Sequence, residues 1–209
     1  MNIPSFVTHY HPTEDPPFRN LSEVPKPERD KVIAMLAERR QQQPRSHRVF
    51  GAKYILLRLA TEEKLRSLFL AAGGRPERKA PHYFVLGSSK WFEGLYPSTK
   101  SVVLPLDELD SLTTSITFPD SFTAMRLSET YGLPMEPLKP YHEKIYLLSQ
   151  LSELIREFGI PEDAPNPDYF NYAQKSFEKY IEVQVWSDIP VQRFLQVNSI
   201  KKQNANLQI

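Results

Sequence analysis

Residues 177–188 read FEKYIEVQVWSD, and this stretch limits the fold more than any other in the chain. It is rich in β-branched and aromatic residues and is closed by Ser187-Asp188 and Pro190, which is the pattern of a strand. Successive side chains leave a strand on opposite sides, so Ile181, Val183 and Val185 share one face. Tyr180, Glu182, Gln184 and Trp186 share the other. The first face belongs in a core. The second carries a carboxylate, an amide and two aromatic rings with polar edges. It is either an exposed sheet surface or the wall of a ligand cleft, and the function of the chain turns on that alternative.

A strand of this kind needs partners, and the remaining sequence supplies them in irregular alternation with helices. Residues 82–87 (HYFVLG), 101–106, 113–118 and 144–148 (KIYLL) read as further strands. Residues 27–43 read as a helix with Val32, Ile33 and Leu36 along one side. A second helix is expected from a Thr61 cap through Leu65, Leu68, Phe69 and Ala72, stopped by Gly73-Gly74. A third carries Leu151, Leu154, Ile155 and Phe158 up to Gly159 and Pro161. Strands and helices interleaved in this way predict an α+β fold, a single domain with a mainly antiparallel sheet and flanking helices. The expected limits are a proline-rich extended arm over 1–28, the domain over 29–195, and a polar tail over 196–209. Residues 161–172 form a connection of lid-like length.

Residues 53–60 (KYILLRLA) are expected as an early strand, with Ile55, Leu57 and Leu59 on one side and Tyr54, Leu56 and Arg58 on the other. The arginine is then the most informative charge in the chain. A guanidinium buried without a partner is costly, so Arg58 is expected to pair with a carboxylate or to bind an anionic ligand.

Several chemistries are excluded by what is missing. There is no cysteine, hence no disulfide, thiolate metal site or cysteine nucleophile. Prolines number 19 and glycines 7, and neither GxxxxGK[ST] nor GxGxxG occurs. No GxSxG elbow is present. His9 and His11 form an HxH pair, but Thr13-Glu14 stand where a metallo-β-lactamase would place Asp-His, so no metal site is expected. A net charge of +1 gives no global attraction to nucleic acid or anionic lipid, although residues 39–53 and 75–79 are locally basic. No membrane span and no signal peptide are read, and a cytoplasmic location is expected.

Three polar strand faces occur in order: Arg58, then Ser115-Ile116-Thr117, then Glu182-Val183-Gln184. This order resembles the Arg, Ser-x-Ser/Thr, Glu arrangement of ADP-ribosyltransferases. The resemblance implies an NAD-dependent enzyme in which NAD is the substrate and ADP-ribose passes to an acceptor. It implies that Arg58, Ser115 and Thr117 bind the dinucleotide, with Tyr83 and Trp186 as aromatic contacts. The family places its glutamate second in Q/E-x-E, whereas here glutamate precedes glutamine. Glu182 and Gln184 are therefore the two candidates for the catalytic position. The acceptor is left open between nucleic acid and protein. The segments HYFVLG, SITFPDS and YIEVQVWSD also resemble bacterial proteins of unassigned activity. The rival reading is a non-catalytic partner-binding module of the immunity type, using Trp91, Tyr169, Phe170, Tyr172 and Trp186 as contacts. An enzyme requires Arg58, Ser115 and Glu182 to converge on one cleft.

Overall fold

The period-two stretch forms strand β6, Glu182–Val185, and a computed structural model of the chain builds a single antiparallel sheet around it. The structure describes residues 2–42, 52–94, 98–127, 130, 137–161 and 180–206. Within them lie strands β1 (Phe6–Pro12), β2 (His82–Leu86), β3 (Thr99–Pro105), β4 (Thr114–Thr117), β5 (Tyr146–Leu147) and β6. The helices are α1 (Lys26–Gln42), α2 (Ala52–Ala71), α3 (Lys90–Glu93), α4 (Ser121–Met125), α5 (Leu151–Phe158) and α6 (Ile189–Asn206). The sheet order is β3-β1-β2-β6-β4-β5, so the last strand in sequence is central in space. The fold class is α+β. Among the described residues no helix is long and apolar enough to cross a membrane.

Register assigns the two faces. Residues directly opposite one another on paired strands share a face. Val183 lies opposite Phe84 and Ile116, and Val7 opposite Leu86 and Leu104. This apolar face is buried against Leu151, Leu154 and Ile155 of α5 and Val191 of α6. Burial of each such side chain contributes about 1.5–3 kcal/mol. On the opposite face Gln184 lies between Tyr83 and Ser115, and Glu182 between Val85 and Thr117. That polar face is not open to solvent. Helices α2 and α4 cover it, with Leu65 and Phe69 packed on Trp186 beside Ala124 and Met125.

The expected strand at residues 53–60 is not formed; those residues are the first turns of α2, and Thr61 lies inside the helix rather than capping it. Lysine, leucine, arginine and alanine are all strong helix formers, and KYILLRLA fits either period over so short a length. The helical period then puts Arg58, Glu62, Leu65 and Phe69 on one stripe facing the sheet. Gly73-Gly74 does stop this helix. Gly73 takes φ +93°, and the amide of Gly74 donates to the carbonyl of Phe69 at 2.8 Å. A Cβ on Gly74 would stand 2.3 Å from the ring of Phe69, which is fully buried under Trp186. Gly74→Ala is therefore expected to cost about 1–3 kcal/mol, read as a lowered urea midpoint at unchanged slope.

The N-terminal segment is more than an arm. Residues 6–11 carry no proline, and β1 pairs with β3 along its whole length. Prolines 4 and 12 bracket that run, which is why the segment as a whole reads as proline-rich. At the other end, α6 carries the chain as helix to Asn206, well into the expected tail. Arg45, Arg48, Tyr169, Phe170 and Tyr172, with most of the lid-length connection, lie outside the described residues.

Candidate functional site

The site forms where two neighbouring strands part. β1 and β2 pair only at Val7–Leu86 and Thr8–Val85, whereas β1 continues beside β3 as far as Pro12. Beyond Thr8 the inner edges diverge, and His9 spans the gap. The backbone amide of Phe18 donates to His9 Nε2 at 3.0 Å, so Nδ1 carries the proton and donates to the carbonyl of Tyr83 at 2.9 Å. His9 thus stands in for ladder hydrogen bonds. His11 Nδ1 is likewise directed to main-chain carbonyls, those of Pro12 and Asp15, both at 2.8 Å. The HxH pair organises backbone.

A half-open cavity of about 170 Å³ occupies this divergence. Tyr10 of β1, His82 and Tyr83 of β2, Phe92 of α3, Tyr180 and Glu182 contribute to it, and Tyr54 and Arg58 reach it from α2. Residues 18–21, which follow β1, close one side as a strap. Asn20 Nδ2 ties that strap to the carbonyl of Pro81 at 3.1 Å. An enclosed apolar space of about 150 Å³ holds one benzene ring, so this cavity takes a single six-membered ring with the rest of a ligand in its mouth.

Glu182 is held from behind by a chain of buried hydrogen bonds. Trp186 Nε1 donates to Ser115 Oγ at 2.8 Å, and Ser115 Oγ donates to Gln184 Oε1 at 2.9 Å. Gln184 Nε2 then donates to Thr117 Oγ1 at 2.8 Å and to Glu182 Oε1 at 3.0 Å. Gln184 Oε1 accepts from Ser115 and its Nε2 donates to Thr117 and Glu182, which fixes the amide orientation of Gln184. Burial pushes the Glu182 carboxyl up to about 7, and the nearby Asp120 adds to the rise. The Arg58 guanidinium and the hydrogen bond from Gln184 oppose it. A carboxyl poised near neutrality in a cleft is a group suited to proton transfer or charge stabilisation.

Arg58 arrives across the cavity from α2. Its Nε donates to Glu62 Oε1 at 2.9 Å, and its guanidinium carbon lies 3.6 Å from the centroid of the Tyr83 ring and 5.5 Å from that of Phe122. Burial disfavours its charge, but the anionic groups that can form around it, among them the carboxylates of Glu62 and Glu182, more than offset this, and it stays protonated. Among the described residues neither Nη nitrogen has a hydrogen-bond acceptor. Arg58 lines the cavity, and a guanidinium fork of this kind suits phosphate or carboxylate. The Tyr83 hydroxyl donates to the same Glu62 oxygen at 3.1 Å. Burial raises its pKa well above the usual phenol value, so it remains a neutral donor.

The structure therefore brings Arg58, Tyr83 and Glu182 to one cavity. Ser115, Thr117 and Gln184 do not line it; they are buried behind Glu182. Of the three residues expected to converge on one cleft, Arg58 and Glu182 share the cavity and Ser115 does not, reaching it only through Gln184. Trp186 does not line it either. It is fully buried against Phe69, one hydrogen bond further back, because α2 lies over its strand end. Gln184 carries no ionisable group and acts here as a donor to Glu182. The sequence reading missed Glu62, Phe122, His9 and the strap. Glu62 stands four residues after Arg58, the spacing of a helical ion pair, and that signal was hidden once the segment was read as a strand. Below the cavity, Arg78 bridges Asp188 and Glu23, and Asp188 accepts from His82 Nε2 at 2.8 Å. Burial lowers the His82 pKa, leaving it neutral beside that carboxylate. Comparisons with protein-family models, with curated proteins and with solved structures return no significant match.

Proposed function

We propose that the cavity receives NAD with its nicotinamide end innermost, and that the chain is an ADP-ribosyltransferase-like enzyme acting in the bacterial cytoplasm. One observation carries this reading: Arg58, whose Nη nitrogens have no hydrogen-bond acceptor among the described residues, and the buried Glu182 line the same cavity with no ion pair between them. A dinucleotide offers complementary groups, a diphosphate for Arg58 and a ribose hydroxyl for Glu182. Tyr10, Phe92 and Tyr180 supply flat apolar faces at the mouth, with Tyr10 and Phe92 stacked at 5.6 Å and Phe92 and Tyr180 at 4.9 Å between centroids.

The reaction follows from these groups. The bond between ribose C1′ and the nicotinamide nitrogen breaks, and its electron pair leaves with the nitrogen, neutralising the pyridinium. The positive charge left on C1′ and the ring oxygen is stabilised by the ionised Glu182 carboxylate. An acceptor nucleophile adds to C1′ and loses a proton, with water giving simple hydrolysis. Neither the protein nor NAD changes oxidation state.

Labelled NAD tests this directly. The purified chain is expected to release nicotinamide and to pass label to itself, to added protein or to an oligonucleotide, which also identifies the acceptor class. Arg58→Met is expected to raise the KM for NAD by at least about tenfold, since a hydrogen bond to a charged group is worth roughly 1.5–3 kcal/mol. Wild-type protein that releases no nicotinamide and gains no thermal stability from NAD would return the chain to the class of partner-binding modules.

A further inference from the structure

We propose that Glu62 is a positioning residue whose task is to hold the Arg58 guanidinium away from Glu182, so that the cavity keeps an anion-binding cation and a catalytic carboxyl side by side and unpaired. This rests on the NAD reading above for its purpose, but not for its geometry.

Two opposite charges sharing a buried cavity attract strongly, because the surroundings screen them little. Arg58 and Glu182 nevertheless form no ion pair. The reason lies on α2. Glu62 is buried, and its Oε1 gathers three donors: Arg58 Nε at 2.9 Å, Ser22 Oγ at 2.8 Å and Tyr83 OH at 3.1 Å. The tether takes Nε and leaves both Nη groups without an acceptor among the described residues. The Tyr83 ring, 3.6 Å below the guanidinium, fixes its plane. Ser22 belongs to the segment that continues from the strap, and its single hydroxyl hydrogen is shared between Glu62 Oε1 at 2.8 Å and Asn20 Oδ1 at 2.7 Å. The same carboxylate therefore anchors the strap and the cation.

The charged and titratable groups around Arg58 and Glu182 come from three elements. From α2 come Tyr54, Arg58 and Glu62, from β2 comes Tyr83, and from the cap of α4 comes Asp120. Asp120 already accepts from the amide and the hydroxyl of Thr123, at 3.0 and 2.7 Å. Released from Glu62, the guanidinium has Glu182 as its remaining buried counter-ion. Such a pair would fill the fork and spend the carboxylate on it.

Glu62→Gln tests the idea. The readouts are the titration of Glu182, followed by carbon NMR of the glutamate carboxyls without ligand, and the affinity for ADP measured by calorimetry. An opposite charge moving to within about 4–6 Å lowers a carboxyl pKa by about 1–3 units, so the Glu182 midpoint is expected to fall by at least one unit. ADP affinity is expected to drop about tenfold or more as the fork is occupied. In the double variant Arg58→Met/Glu62→Gln the midpoint should rise above the wild-type value, because no cation remains. A residue with only a packing role would lower thermal stability and leave the midpoint in place. Glu62→Asp keeps the charge but withdraws it by one methylene, and gives the same direction of change if the glutamine variant does not fold. An unchanged Glu182 midpoint in these variants overturns the inference even if NAD is turned over. Absence of NAD turnover with a shifted midpoint overturns the function and leaves the inference standing.

Discussion

Glu182→Gln should reduce nicotinamide release from NAD by roughly 10²–10³-fold while the protein becomes more stable above neutrality. The loss is of the size seen when one preorganised electrostatic contact to a developing charge is removed. It should appear in kcat, because the glutamine still accepts from Gln184 and the Arg58 fork is untouched. The wild-type rate should rise with pH through about 7, the value to which burial pushes this carboxyl, since only the ionised form stabilises the positive sugar. The variant should lack that limb. The stability effect has the opposite sense. A carboxyl raised from 4.5 to about 7 binds its proton more tightly in the folded state. Stability from this group is complete below about 4.5 and is lost as pH rises through 7, by up to about 3 kcal/mol. Thermal melts near pH 4.5 should thus find the two proteins alike, and melts near pH 8 should find the variant ahead. Equal melting points at both pH values, or a variant with wild-type turnover, would remove Glu182 from the centre of the chemistry.

Trp186→Ala should be the most damaging single change in the fold. The indole is fully buried, stacks on Phe69 at 6.0 Å between centroids, and packs beside Leu65, Ala124 and Met125. Deleting it removes a large apolar surface and opens a cavity that α2 and α4 cannot close without losing the sheet, at about 3–5 kcal/mol. In a chain of 209 residues this lowers the melting temperature by about 10 °C. Trp186→Phe separates packing from hydrogen bonding. It keeps an aromatic ring against Phe69 but leaves Ser115 Oγ without the indole donor, at a cost of about 1 kcal/mol. Because Ser115 orients Gln184 and Gln184 orients Glu182, the phenylalanine variant should also lose activity beyond what its stability explains. A phenylalanine variant with full turnover would mean that the chain of hydrogen bonds does not reach the carboxylate.

The strand faces were legible because a period of two leaves little choice. Glu182, Gln184 and Trp186 share a face in the sequence and share it in the sheet, where Ser115, Thr117 and Tyr83 join them through register. Their burial was not legible. Nothing local to EVQVW says that a second helical layer covers its polar side, so Trp186 read as a ligand contact when it is core. Arg58 was picked out by its charge among apolar neighbours, which survives a wrong choice of period. Its partner was not, since the link to Glu62 exists only if the segment is helical. The HxH pair was not read as a metal site, but its backbone role was not legible either, since only the parting of β1 from β2 gives His9 the carbonyl of Tyr83 to meet.

By itself the sequence determined which side chains alternate in the last strand, that helices stop at Gly73-Gly74 and Gly159, and that a guanidinium and a carboxylate needed explaining, because these follow from short-range stereochemistry and from the cost of burying charge. Only the tertiary structure decided that the two residues meet at one cavity and that Glu62 is the partner of the guanidinium there. Those facts depend on how a helix crosses a sheet and where two strands diverge, and such contacts join residues far apart in the chain, as His9 meets Tyr83 and Arg58 shares a cavity with Glu182, beyond the reach of any local pattern.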